Sequence, residues 1–93
     1  MNKESRNFSK SVTITNELGL HARAAAGIVN LATHAKEKIW IIKEDEKIDA
    51  SSIIDILTLG CPKGTPITFT ADNKTDIDVL NDIVTLVENG FGE

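Results

Sequence analysis

The sequence predicts an α+β domain, with elements in the order βαββαβα and helices on one face of an antiparallel sheet. Three observations carry this. Alternating or β-branched stretches stand at 12–15, 39–42 and 67–71, the signature of strands. Between and after them, apolar residues recur at helical spacing. In the last strand Thr68 and Thr70 alternate with Ile67 and Phe69, so one sheet face meets water. An antiparallel sheet allows that, with helices covering the other face.

Residues 1–9 read as a flexible, polar N-terminal tail that Phe8 can tack down, and 10–93 as the single domain. Strand one is expected at 10–15, followed by a turn through Asn16, Glu17, Leu18 and Gly19. A first helix follows at about 22–35, with Ala25, Ile28, Val29, Ala32 and Ala35 as its apolar stripe. Lys36 and Lys38 near its end suit the helix dipole. Ile39-Trp40-Ile41-Ile42 is strand two. Glu44-Asp45-Glu46 makes a charged turn, and Lys47-Ile48-Asp49-Ala50 a short third strand.

Ser52 and Asp55 have the spacing of a helix cap, and Gly60 is a natural stop, so a short helix spans the residues between. Pro62, Gly64 and Pro66 punctuate the loop into strand four. Thr75 is placed as the cap of the last helix, with Asp76 and Asp78 in its first turn. Ile77, Leu80, Ile83, Val84 and Val87 form its buried stripe.

A chain of 93 residues can hold one modest core. The single cysteine, Cys61, excludes an internal disulfide, suits a reducing cytoplasm, and reads as a loop thiol without a role. His21, His34 and Cys61 show no metal-ligand spacing, so no metal or cofactor is expected. His34 reads as a surface or helix-end residue. The first residues lack the apolar run of a signal peptide, and no segment is long enough to cross a membrane. A net charge of −4, one Trp and no Tyr argue against nucleic acid as a partner.

The run Gly19-Leu20-His21-Ala22-Arg23-Ala24-Ala25-Ala26 carries the chemistry. His21 falls where a strand-like segment gives way to a helix. There the first N–H groups lack intrahelical partners and positive charge is disfavoured. A neutral imidazole is a nucleophile, and a phosphoryl group on it would meet waiting donors, with Arg23 adding a charged fork. Alone, His21 would pass for a capping histidine and Arg23 for a solvated one. The short helix adds a second signal. Ile53, Ile54, Ile56, Leu57 and Leu59 are too many apolar residues for one buried face. Ile56 and Leu59 are placed inward, and Ile53, Ile54 and Leu57 outward, as a patch that marks a partner site.

Both runs match HPr, the histidine-containing phosphocarrier family of the bacterial phosphoenolpyruvate-dependent phosphotransferase system. Residues 19–23 resemble its active-site run, and 52–60 its second signature, a serine opening a helix that ends in Leu-Gly. The resemblance covers about residues 10–90. It implies an open-faced β-sandwich, a four-stranded antiparallel sheet with three helices on one face. It implies that His21 carries the phosphoryl group on Nδ1, stabilised by Arg23 and by the backbone N–H groups of Ala22 and Arg23. Ser52 would be the regulatory serine, and Leu20, Ala26, Ile53, Ile54 and Leu57 the partner surface.

The implied partners are Enzyme I and an enzyme IIA-type acceptor, with a serine kinase/phosphorylase and a transcriptional regulator for Ser52. The protein would be a cytoplasmic monomer and a stoichiometric carrier rather than an enzyme with its own turnover. The other reading is a non-carrier regulatory protein controlled by Ser52 phosphorylation. Two departures stand out. Ala24 occupies the position of the family's usual proline, which adds a backbone donor near the phosphoryl site. Asn30, Thr33 and Asp55 stand where many relatives have lysines, so electrostatic steering of acidic partners is expected to be weak.

Overall fold

The computed structural model describes residues 8–93. Four strands, β1 (Ser9–Thr13), β2 (Ile39–Lys43), β3 (Glu46–Asp49) and β4 (Pro66–Ala71), form one sheet in the order β1-β4-β2-β3. All three pairings are antiparallel, and Val12 opposes Ile67 while Ile41 opposes Phe69. Helices α1 (Ala22–Ala32), α2 (Ile53–Leu59) and α3 (Ile77–Glu88) lie over one face. The predicted class, element order and layering therefore hold. The solvated face carries two cross-strand hydroxyl pairs, Ser9 with Thr70 at 2.8 Å and Ser11 with Thr68 at 2.9 Å.

The core is Phe69, Ile39 and Ile41 from the sheet against Ile28, Ile56, Leu80, Ile83 and Val87 from the helices, with Ile14 from the chain between β1 and α1. Each such side chain contributes about 1.5–3 kcal/mol when fully buried. Cys61 belongs here, buried rather than in an open loop, and burial pushes its thiol pKa up. It is a small core filler, inert as a nucleophile.

Several boundaries move, each for a local reason. Ser9 is already in β1 and Phe8 packs half-buried on the core, so the domain reaches past the expected tail boundary at residue 9. Residues 1–7 of that tail lie outside the described residues. Strand one ends at Thr13 because Ile14 turns to pair with the next loop, donating to the Thr65 carbonyl and accepting from Gly64.

Helix α1 stops at Ala32, short of 35. The amides of Lys36 and Glu37 are captured by the two carboxylate oxygens of Asp76, each at 2.8 Å. Asp76 is therefore a buried clasp between α1 and α3, not a solvated first-turn acid. Lys38, expected to serve the helix dipole, pairs with Asp49 at 2.9 Å instead. Asn73, not Thr75, caps the turn that precedes α3: its Oδ1 accepts from the Thr75 amide at 2.9 Å. At the end of α2, Gly60 takes a left-handed φ of 69°. Lys43 of β2 donates to the carbonyls of Leu59 and Gly60, satisfying acceptors that the helix leaves open.

Candidate functional site

The loop from Asn16 to His21 is held by backbone contacts with a segment forty residues downstream. Leu20 N–H donates to the Cys61 carbonyl at 2.9 Å, and Gly19 N–H to Asn16 O at 3.1 Å. Gly19 has φ +67°, and a Cβ there would lie 2.5 Å from the Cys61 oxygen and 2.8 Å from Pro62 Cα. Only glycine permits both the left-handed backbone and that approach. Leu20, which the family resemblance places on the partner surface, is instead 6 % exposed and joins the core. Its side chain anchors the loop in the core, alongside the hydrogen bond from its N–H to the Cys61 carbonyl.

His21 is the N-cap of α1. Its carbonyl accepts from Ala25, and its ring Nδ1 accepts from the Ala24 amide at 3.2 Å. The backbone donor that Ala24 supplies thus points at the imidazole itself. The other ring nitrogen, Nε2, lies 2.6 Å from Glu93 Oε2. In the neutral ring these partners assign the proton to Nε2 and leave the lone pair on Nδ1. The N–H groups of Ala22 and Arg23 find no partner among the described residues, and Arg23 is exposed and forms no ion pair among them. Leu18, His21, Ala22, Arg23 and Glu93 line one open depression around the ring.

Two residues that sequence reasoning passed over complete this site. Asn16 is buried, and its Nδ2 donates to the Gly19 carbonyl at 2.8 Å and to Glu93 Oε1 at 3.2 Å. Glu93 is brought back to the histidine by a left-handed turn at Gly90, Phe91 and Gly92. Nothing in the local sequence links residues 72 positions apart. Leu18, 68 % exposed, was also unmarked. Its position beside His21 depends on the turn geometry.

Helix α2 packs against α1 and β3. Ser52 is its N-cap, with Oγ accepting from the Asp55 amide at 3.2 Å. The neighbouring Ser51 hydroxyl is engaged elsewhere, donating to Asp49 Oδ1 at 2.6 Å. Ile56 and Leu59 face inward, while Ile53, Ile54 and Leu57 are 37, 70 and 38 % exposed. Ala26 is exposed on α1, and His34 is exposed beyond the helix end.

Comparison with known proteins bears directly on this arrangement. The family description "PTS HPr component phosphorylation site" matches residues 8–89, a span that includes both the His21 run and the Ser52 helix. The chain belongs to the HPr family. It is 32 % identical to the phosphocarrier protein HPr of Neisseria meningitidis, over 92 % of this chain and 97 % of that one. It is 36 % identical to the phosphocarrier protein NPr of Shewanella violacea, over 92 % and 94 %. The crystal structure of HPr-C-His from Thermoanaerobacter tengcongensis superposes with a TM-score of 0.86 at 34 % identity, covering 91 % of this chain and 96 % of that one. HPr membership makes the protein a phosphocarrier of the phosphotransferase system. Among the described residues no helix is long and apolar enough to cross a membrane. Glu93, the partner of His21, lies beyond the part of the chain that the HPr family description spans.

Proposed function

We propose that His21 accepts a phosphoryl group on Nδ1 from phosphoenolpyruvate-charged Enzyme I and hands it to a histidine of an enzyme IIA-type acceptor. The observation that carries this reading is the ring's placement. Its lone-pair nitrogen faces the first turn of α1, with the Ala22 and Arg23 amides open beside it. An in-line displacement forms the Nδ1–P bond as the donor's N–P bond breaks, and the protein's task is positioning and charge stabilisation. The phosphoryl oxygens take the helix N–H groups and the Arg23 guanidinium.

Leu18, Ala26, Ile53, Ile54 and Leu57 form the docking surface, small and apolar, suited to brief encounters in the cytoplasm. Ser52 is the regulatory site, open to a serine kinase/phosphorylase. A phosphate there would burden the patch with charge that must be desolvated on docking, and could instead be read by a transcriptional regulator.

The test is incubation of the protein with Enzyme I and phosphoenolpyruvate, read by intact mass. One acid-labile phosphoryl group on the wild type and none on His21→Ala is the expected result. Ile54→Ser should fold normally yet accept more slowly, through a raised KM for this protein as substrate. Absence of uptake by the wild type from its cognate Enzyme I would overturn the carrier reading.

A further inference from the structure

We infer that Glu93 is a positioning residue for phosphoryl transfer: its carboxylate holds the Nε2 proton of His21, presenting Nδ1 as the nucleophile. The inference rests on the carrier reading above and adds to it a residue outside the family match.

The geometry is specific. Glu93 Oε2 sits 2.6 Å from Nε2, with the two side chains 27 and 23 % exposed. Oε1, the other oxygen, accepts from Asn16 Nδ2 at 3.2 Å. The same Asn16 nitrogen holds the Gly19 carbonyl at 2.8 Å, so one buried amide ties the carboxylate to the loop that delivers the histidine. The backbone is committed to this contact. Gly90, Phe91 and Gly92 all have positive φ, at 64°, 58° and 76°. A left-handed backbone is strained for a residue with a Cβ, and the half-buried Phe91 side chain packs on the core. The turn sends the chain from the end of α3 back to His21.

The chemistry follows from the proton's place. As Nδ1 uses its lone pair to bond phosphorus, the departing nitrogen of the donor keeps the electron pair of the broken N–P bond. The ring of His21 gains positive charge while Nε2 keeps its proton. A carboxylate already seated on that proton opposes the growing charge and keeps the ring from rotating, as the acid of a hydrolase triad does for its histidine. When the phosphoryl group leaves for the next acceptor, the same contact stabilises the ring on the way back. The Ala24 amide acts on the other side. It holds Nδ1 at rest and turns to a phosphoryl oxygen once the N–P bond exists.

Glu93→Ala and Glu93→Gln test this, with two readouts. In the unphosphorylated protein, exchange of the Nε2 proton with water, followed by proton–nitrogen NMR, should be slow in the wild type. It should be slow also in Glu93→Gln, whose amide oxygen still accepts, and fast in Glu93→Ala. In phosphoryl uptake from Enzyme I, kcat should fall about tenfold in Glu93→Ala with KM changed less than twofold, a moderate effect because the contact is partly open to water. Glu93→Gln should lie between, and added formate should restore part of the Glu93→Ala rate. Unchanged kcat in Glu93→Ala, or Nε2 exchange equal to the wild type, overturns the inference. If the wild type itself takes up no phosphoryl group, the carrier reading fails, while the exchange measurement still decides whether Glu93 holds the ring.

Discussion

Substituting Gly19 by alanine attacks the joint on which the site is mounted. The new Cβ lies 2.5 Å from the Cys61 carbonyl oxygen and 2.8 Å from Pro62 Cα, both backbone atoms that cannot rotate away. Reaching an ordinary contact distance requires the two loops to part by roughly 1 Å. The Leu20–Cys61 hydrogen bond, now 2.9 Å, would then be lost. Its loss removes about 0.5–1.5 kcal/mol. The left-handed φ of +67° adds about 1–2 kcal/mol for any residue with a Cβ. Together the expected destabilisation is about 1.5–3.5 kcal/mol, a large share of a small domain's stability. Urea unfolding measures it. Gly64→Ala is the control, since Gly64 has φ +93° but open space around its Cβ position. It should lose only the backbone part. Phosphoryl uptake by folded Gly19→Ala should also slow, because His21 moves with the loop. Equal losses in the two variants would refute the claim that close approach of the loops, rather than φ alone, demands glycine.

Two further outcomes are expected. Asp76→Ala removes the acceptor of two part-buried, charge-assisted hydrogen bonds from the amides of Lys36 and Glu37, so it should cost about 2–4 kcal/mol by denaturant unfolding, with Asp76→Asn losing about half as much. Asp49, bonded first by the Ser51 hydroxyl and also by Lys38, is lowered to about 2 from an ordinary 3.8. The folded state therefore binds fewer protons in that range, and the stabilisation is complete above about pH 4 and fades as pH falls towards 2. Ser51→Ala should cost about 1 kcal/mol near neutral pH, with the gap to wild type narrowing across that window in pH-dependent unfolding.

Much of the molecule was legible because its signals are local. Alternation in Ile67-Thr68-Phe69-Thr70 fixes which sheet face is wet. The excess of apolar residues on the short helix signals an exposed patch, although spacing alone does not fix its phase and it is packing that turns Ile56 and Leu59 inward. His21 and Ser52 could be placed at helix starts because capping acts over three residues, and both do cap. The misreadings come from long-range contacts. Asp76 looks like a dipole acid until the end of α1 is brought against it. Leu20 looks like a surface leucine until its amide is seen bonded to Cys61. Glu93 carries no local pattern at all, and only the left-handed turn at 90–92 brings it to the histidine.

That dependence on distant partners sets when the protein becomes competent. The histidine is made early, yet its loop is fastened to Cys61 and Thr65, β1 pairs with β4, and the ring leans on Glu93. A nascent chain ending before residue 61 would contain the whole 19–26 run without the frame that aims it. Closing such long loops comes late in folding, so the nucleophile should be positioned in the same cooperative step that completes the domain. The Leu20 amide then reports on that step, with hydrogen exchange as slow as that of the central strands.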